Sequence, residues 1–157
     1  SKDALLFEIV FAIVERQARA LHDGVEASKG GGDALRAIVR ETMRTFATNL
    51  DDFRLTYLFS QVAGPGAVHV GAEQLAKIRP LNELSFAGAA KRLDDEWQHA
   101  RGRAQVEPRL MAFLASTSAL GLLTMKGMVE SLGDPLLYTN EQLTEGLARI
   151  FEAAAAP

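Results

Sequence analysis

The chain contains no cysteine, which excludes disulfide staples and thiolate chemistry and fits a cytoplasmic protein. Histidine is scarce too, with three in 157 residues. Glu96 and His99 form one Glu-x-x-His pair, the spacing that sets two metal ligands on one helical face. A carboxylate-bridged di-metal bundle needs two such pairs, and His22 and His69 follow Arg19 and Gly66 instead, so no metal is expected. Gly-x-Ser-x-Gly, Gly-x-x-x-x-Gly-Lys-Ser/Thr and Cys-x-x-Cys are all missing, leaving no positive sign of catalysis or of a cofactor. Neither sign of charge dominates: 17 basic and 20 acidic side chains give a net charge of −3, with no general pull toward nucleic acid or an anionic membrane. The longest uncharged stretch, residues 110–125, falls short of the roughly 20 residues a membrane span requires and carries Ser116, Thr117, Ser118 and Thr124, which predicts a buried helix.

What is present is helical periodicity over one domain, residues 1–157. Apolar residues recur at three and four positions, never convincingly at two, which predicts an all-α fold of about six helices. Helix one covers residues 3–22, with Asp23-Gly24 as its stop and residues 28–32, Ser-Lys-Gly-Gly-Gly, as a flexible connection. Asp33 is placed to cap helix two, where Arg36, Arg40 and Arg44 stand at i, i+4 and i+8; a solvated face suits this stripe better than a phosphate ridge. Helix three covers residues 51–63 and ends at Gly64-Pro65-Gly66. Helix four starts near Gly71 with a kink expected at Pro80, helix five covers residues 108–132, and helix six covers residues 139–155 behind a Thr139/Gln142 capping box.

Helix five is apolar nearly all round. Leu110, Met111, Leu114, Ser118, Leu122, Met125 and Val129 are ample for packing on the domain's own core, which leaves Ala112, Ala115, Ser116, Ala119 and Leu123 on the reverse side, with Phe113 and Leu120 on its flank. A helix apolar on both sides must be covered on both, and small residues at these intervals admit a close second helix. With Leu143, Leu147, Ile150 and Phe151 of helix six, this reverse side is the expected homodimer interface; the alternative is that helix five is the central helix of a monomer, surrounded by the other five. Met43, Phe46, Tyr57, Gln61, Phe86, Trp97, Met111, Ser118 and Met125 combine adaptable apolar bulk with a few hydrogen-bonding tips, the make-up of a small-molecule pocket and equally of a helical core.

The opening words, Ser1-Lys2-Asp3-Ala4-Leu5-Leu6, start a helix with a capping serine and an acidic first turn, as a helix inside a longer protein does. They resemble the segment that follows the DNA-binding head in TetR-family transcriptional regulators, and Asp51-Asp52-Phe53-Arg54-Leu55 resembles the opening of a later short helix in that family. The resemblance implies a ligand-binding and dimerisation body whose last two helices pair with their copies as an intermolecular four-helix bundle. It also implies an apolar effector that alters operator affinity, and a helix-turn-helix head outside this chain, so that no DNA-binding residue lies within it. A stand-alone helical binding protein for lipophilic small molecules is the alternative.

Overall fold

The computed structural model of this protein describes residues 2–58, 71–100, 106–132 and 138–156. Within them the chain is all-α, with six helices and no strand. They are α1 (Lys2–Glu26), α2 (Gly31–Ala47), α3 (Leu50–Phe53) running straight into a π-helical turn (Arg54–Leu58), α4 (Ala72–His99), α5 (Pro108–Leu132) and α6 (Asn140–Ala154). The sequence-predicted end of helix three and its Gly-Pro-Gly stop lie outside the described residues.

Helix α2 is the hub, packing against α1, α4, α5 and α6. Its Leu35, Ile38, Val39 and Phe46 are fully buried together with Leu93 of α4 and Leu123 of α5. α1 and α4 run side by side in the same direction, with Glu8 and Lys77 3.9 Å apart near one end and Glu26 and Arg92 3.2 Å apart toward the other. α2 runs against α1 and against α6, where Gly32 lies beside Glu152 and Arg40 beside Glu145.

Glycines set these separations, and two expectations about them need correcting. Residues 28–32 are not simply a flexible connection capped by Asp33: α2 begins at Gly31 behind Gly30, and Asp33 accepts a hydrogen bond from the Lys29 N–H at 3.0 Å. A Cβ on Gly31 would stand 2.9 Å from the Leu93 Cα, and one on Gly32 3.2 Å from the Glu152 carbonyl oxygen. The missing side chains are what admit α4 and α6 to the first turn of α2. Likewise Asp23-Gly24 does not end α1, which continues to Glu26; a Cβ on Gly24 would meet the Glu41 Cγ at 2.9 Å, so this glycine serves a helix contact instead of a stop.

Helix α4 is one helix through Pro80. The buried residues of α4 begin only at Ser85, so the carbonyl that loses its N–H partner to the proline lies in a largely exposed half, within reach of water. At α6 the capping box forms as the sequence predicts: the Gln142 N–H donates to Thr139 Oγ1 at 3.2 Å and the Thr139 N–H to Gln142 Oε1 at 2.9 Å. Glu107 does similar work for α5, accepting from the N–H groups of Arg109 and Leu110 at 2.9 and 2.7 Å.

The arginine stripe is neutralised within the fold. Arg36 donates to Glu145 at 2.5 Å and to Glu152 at 3.0 Å, Arg40 donates to Glu145 at 2.6 Å, and Arg44 pairs with Glu41. Arg149 adds a third guanidinium to Glu145 at 3.0 Å. Hydrogen bonds from Arg40 and then Arg149 hold the Glu145 carboxyl below the usual carboxylate range. A carboxylate whose pKa falls on folding contributes stability above its unfolded pKa and loses it as pH drops through the folded value. Glu145→Gln is therefore expected to lower Tm at neutral pH, with the deficit closing as the pH falls through that lowered range; a deficit independent of pH would contradict the assignment.

The glycine contacts make a second prediction. Gly31→Ala should destabilise the chain by about 1–3 kcal/mol in urea denaturation, because the neighbouring Leu93 atom is backbone and cannot swing aside. Gly146→Ala, whose Cβ meets nothing within 4 Å, should instead stabilise it by up to about 1 kcal/mol through helix propensity.

Candidate functional site

At the junction of α1, α2 and the π-helical turn, Phe46, Phe53 and Tyr57 form a triangle of rings with centroids 5.7 to 5.9 Å apart. The local sequence builds it. Asn49 caps α3 by accepting from the Asp52 N–H, Asp52 pairs with Arg16 of α1, and the short helix then widens into the π turn that carries Tyr57 inward. The Tyr57 hydroxyl donates to Oε1 of the buried Gln17 on α1 at 2.6 Å. Burial pushes the phenol pKa up, so Tyr57 stays a neutral donor. One turn before Phe46 on the same face of α2, Thr42 is fully buried and its hydroxyl has no hydrogen-bond partner among the described residues. π-Helical turns and unsatisfied buried hydroxyls are both costly features that recur at functional positions. Gln17 and Thr42 escape a sequence reading because neither belongs to a motif; the one signal is a polar residue at a core position of an amphipathic helix.

The nine sequence-predicted pocket residues do not surround one space. Met43, Phe46, Trp97 and Met111 are buried in the common core, while Tyr57 and Phe86 pack partly buried against it. Trp97 belongs to its far end, where its indole N–H donates to the Ala155 carbonyl at 2.8 Å and pins α4 to the end of α6. Phe86 meets Phe113 edge to face at 5.9 Å. Ser118 is half-buried, Met125 is exposed, and Gln61 lies outside the described residues. The aromatic and polar constellation forms at the π turn, where Tyr57 finds its partner on α1.

The side of α5 assigned to an interface faces inward, and of the expected core side Met111 and Leu122 pack on the core while Leu110, Leu114 and Met125 are exposed. Ala112, Ala115, Ser116, Ala119 and Leu123 are no more than 4% exposed and face the protomer's own core. Leu110, Phe113, Leu114, Met125 and Met128 are 40% to 53% exposed. Of the four α6 residues assigned to the same interface, Leu143, Leu147 and Phe151 are half-buried, the last two packing against the core, and only Ile150 is largely exposed. The physical reason is distance: small side chains allow α5 to approach α2 closely, so they belong inside, and bulk is left outside. A helical wheel records the two apolar sides but not which is nearer a neighbour.

An open groove of about 1000 Å³ lies between α2 and the first half of α6, lined by Arg40, Met43, Arg44, Glu141, Glu145 and Arg149 among others. Of the nine candidates it touches Met43 alone. A second depression of about 660 Å³ adjoins Glu96 and His99; no group of three metal-ligating side chains assembles among the described residues. Pro108–Met128 is the one described helix long and apolar enough to cross a membrane, yet its inner side is packed into the core. Comparison with family models, curated proteins and solved structures finds no match to this chain.

Tyr57→Phe, which strands the Gln17 carbonyl inside the fold, should cost about 1–3 kcal/mol in chemical denaturation, whereas Thr42→Val, which removes an unpartnered hydroxyl, should be neutral or gain up to about 1 kcal/mol. Equal losses from both would show that Thr42 is hydrogen-bonded in solution.

Proposed function

We propose that the chain is the effector-sensing and dimerisation body of a TetR-like transcriptional repressor acting in the cytoplasm. In this reading an apolar small molecule alters operator affinity, with DNA contacted by a helix-turn-helix head outside residues 1–157. The observation that carries the sensing part is the π turn, which brings a hydrogen-bonding Tyr57 to a buried Gln17 of α1 among aromatic rings. A neutral, mainly apolar guest with one polar group matches that chemistry: its body replaces ring contacts and its polar group takes over a hydrogen bond of Tyr57, Gln17 or Thr42. Because Gln17 belongs to α1, a guest that breaks the Tyr57–Gln17 bond changes how α1 sits on the rest. The required difference is modest, since a coupling of about 1–3 kcal/mol changes affinity roughly 5- to 150-fold, provided the guest binds one state better than the other. The dimerisation part is supported by the exposed apolar face of α5.

A thermal-shift screen with long-chain alcohols, steroids and flat neutral heterocycles tests the sensing reading. A matching compound at 100 times its Kd stabilises the fold by about 2.7 kcal/mol. The expected result is a rise in Tm that Tyr57→Phe or Gln17→Leu diminishes. No shift with any class at saturation, or a shift insensitive to both variants, would contradict it.

A further inference from the structure

Hydroxyl groups in the helices of this chain commonly serve their own backbone. Thr45, Ser85, Thr117, Thr124 and Thr144 each donate to the carbonyl four residues earlier, at 2.7 to 3.0 Å. Thr42 and Thr56 do not: their hydroxyl oxygens are buried and have no hydrogen-bond partner among the described residues. Both belong to elements that meet at the Tyr57 junction, Thr42 to α2 one turn before Phe46 and Thr56 to the π turn beside Tyr57 itself. A helical threonine has two favoured rotamers because its hydroxyl can bond the carbonyl one turn back. Thr42 is fully buried and still leaves that bond unmade, which costs stability that only another acceptor could offset.

What remains unspent at the junction is donors. The side-chain carbonyl there, Oε1 of Gln17, already receives the Tyr57 hydroxyl, whereas the O–H groups of Thr42 and Thr56 receive no use. We infer that the guest of this junction is a neutral carbonyl compound, a ketone, ester or quinone on an apolar body, whose oxygen accepts the hydrogen bond of Thr42. Resting on the sensing reading above, this assignment adds the chemical class of the effector. A carbonyl oxygen accepts and asks for no acceptor in return. An alcohol must also place its own O–H, and a primary amide its N–H groups, where the side-chain carbonyl is already occupied. A carboxylate fits worse: Arg16 beside the junction is paired with Asp52, and burying an unpaired charge costs far more than burying a carbonyl group. For the apolar body, the rings of Phe46, Phe53 and Tyr57 supply adaptable contact surface. The assignment concerns one oxygen and leaves the skeleton open, so the test holds the skeleton fixed and varies the oxygen.

Three matched sets do this: undecane, undecanol and undecanone; cyclododecane, cyclododecanol and cyclododecanone; androstane, androstanol and androstanone. Each is titrated into the full chain by calorimetry. On a skeleton that binds, the ketone should bind more tightly than the alcohol and about tenfold more tightly than the hydrocarbon. Thr42→Val should remove the difference between ketone and hydrocarbon, and Thr42→Ser should keep it. In infrared difference spectra the carbonyl band of the bound ketone should lie below its frequency in hexane and return upward in Thr42→Val, a change that a merely structural threonine would not produce. A ketone that binds no better than its alcohol or hydrocarbon, or an advantage unchanged in Thr42→Val, overturns the carbonyl assignment and leaves the sensing reading standing. Binding of no member of any set, with no Tm rise across the wider screen, overturns both.

Discussion

The closeness of the helices around α2 is the constraint on which everything else depends. Gly31 and Gly32 admit α4 and α6 to one end of α2, Gly24 lets α1 approach Glu41, and Ala112, Ala115 and Ala119 bring α5 in. Side chains with little or no bulk permit short interaxial distances, and short distances leave room inside for only part of a helix's apolar volume. On α5 the remainder, Leu110, Phe113, Leu114, Met125 and Met128, is turned outward. Tight packing within the protomer and an apolar outer face are thus two results of one distribution of sizes.

The sequence carried the elements well. Periodicity found the helices, and Thr139 with Gln142 marked the start of α6 because a capping box is a local interaction written in adjacent residues. It misled where a residue answers to a distant partner. Gly24 reads as a helix stop until Glu41 is seen against it, and Gly31 and Gly32 read as a linker until Leu93 and Glu152 are seen there. Tyr57 was legible as a candidate, but its partner Gln17 was not, because 40 residues and a π turn separate them. Two apolar sides on α5 were visible from spacing alone; which faced inward depends on interhelical distance, a property of pairs of helices.

The junction at Tyr57 and helix α5 are joined by α2 and, through α3, by a direct contact. Phe46 of α2 closes the ring triangle, and the same helix packs against α5. A guest that displaces Phe46 or frees Gln17 would act on α1 directly and on α5 through the body of α2. That coupling requires a guest that distinguishes two arrangements of these helices, since tight binding without discrimination moves no equilibrium.

The four methionines report on the whole arrangement at once, because Met43 and Met111 are buried in the protomer and Met125 and Met128 stand on its outer face. Mild peroxide oxidation followed residue by residue by mass spectrometry, at high and at low protein concentration, is the most direct measurement. The account predicts that Met43 and Met111 resist at both concentrations, while Met125 and Met128 resist in concentrated protein and react on dilution. Oxidation of Met125 and Met128 at the same rate at every concentration would contradict it.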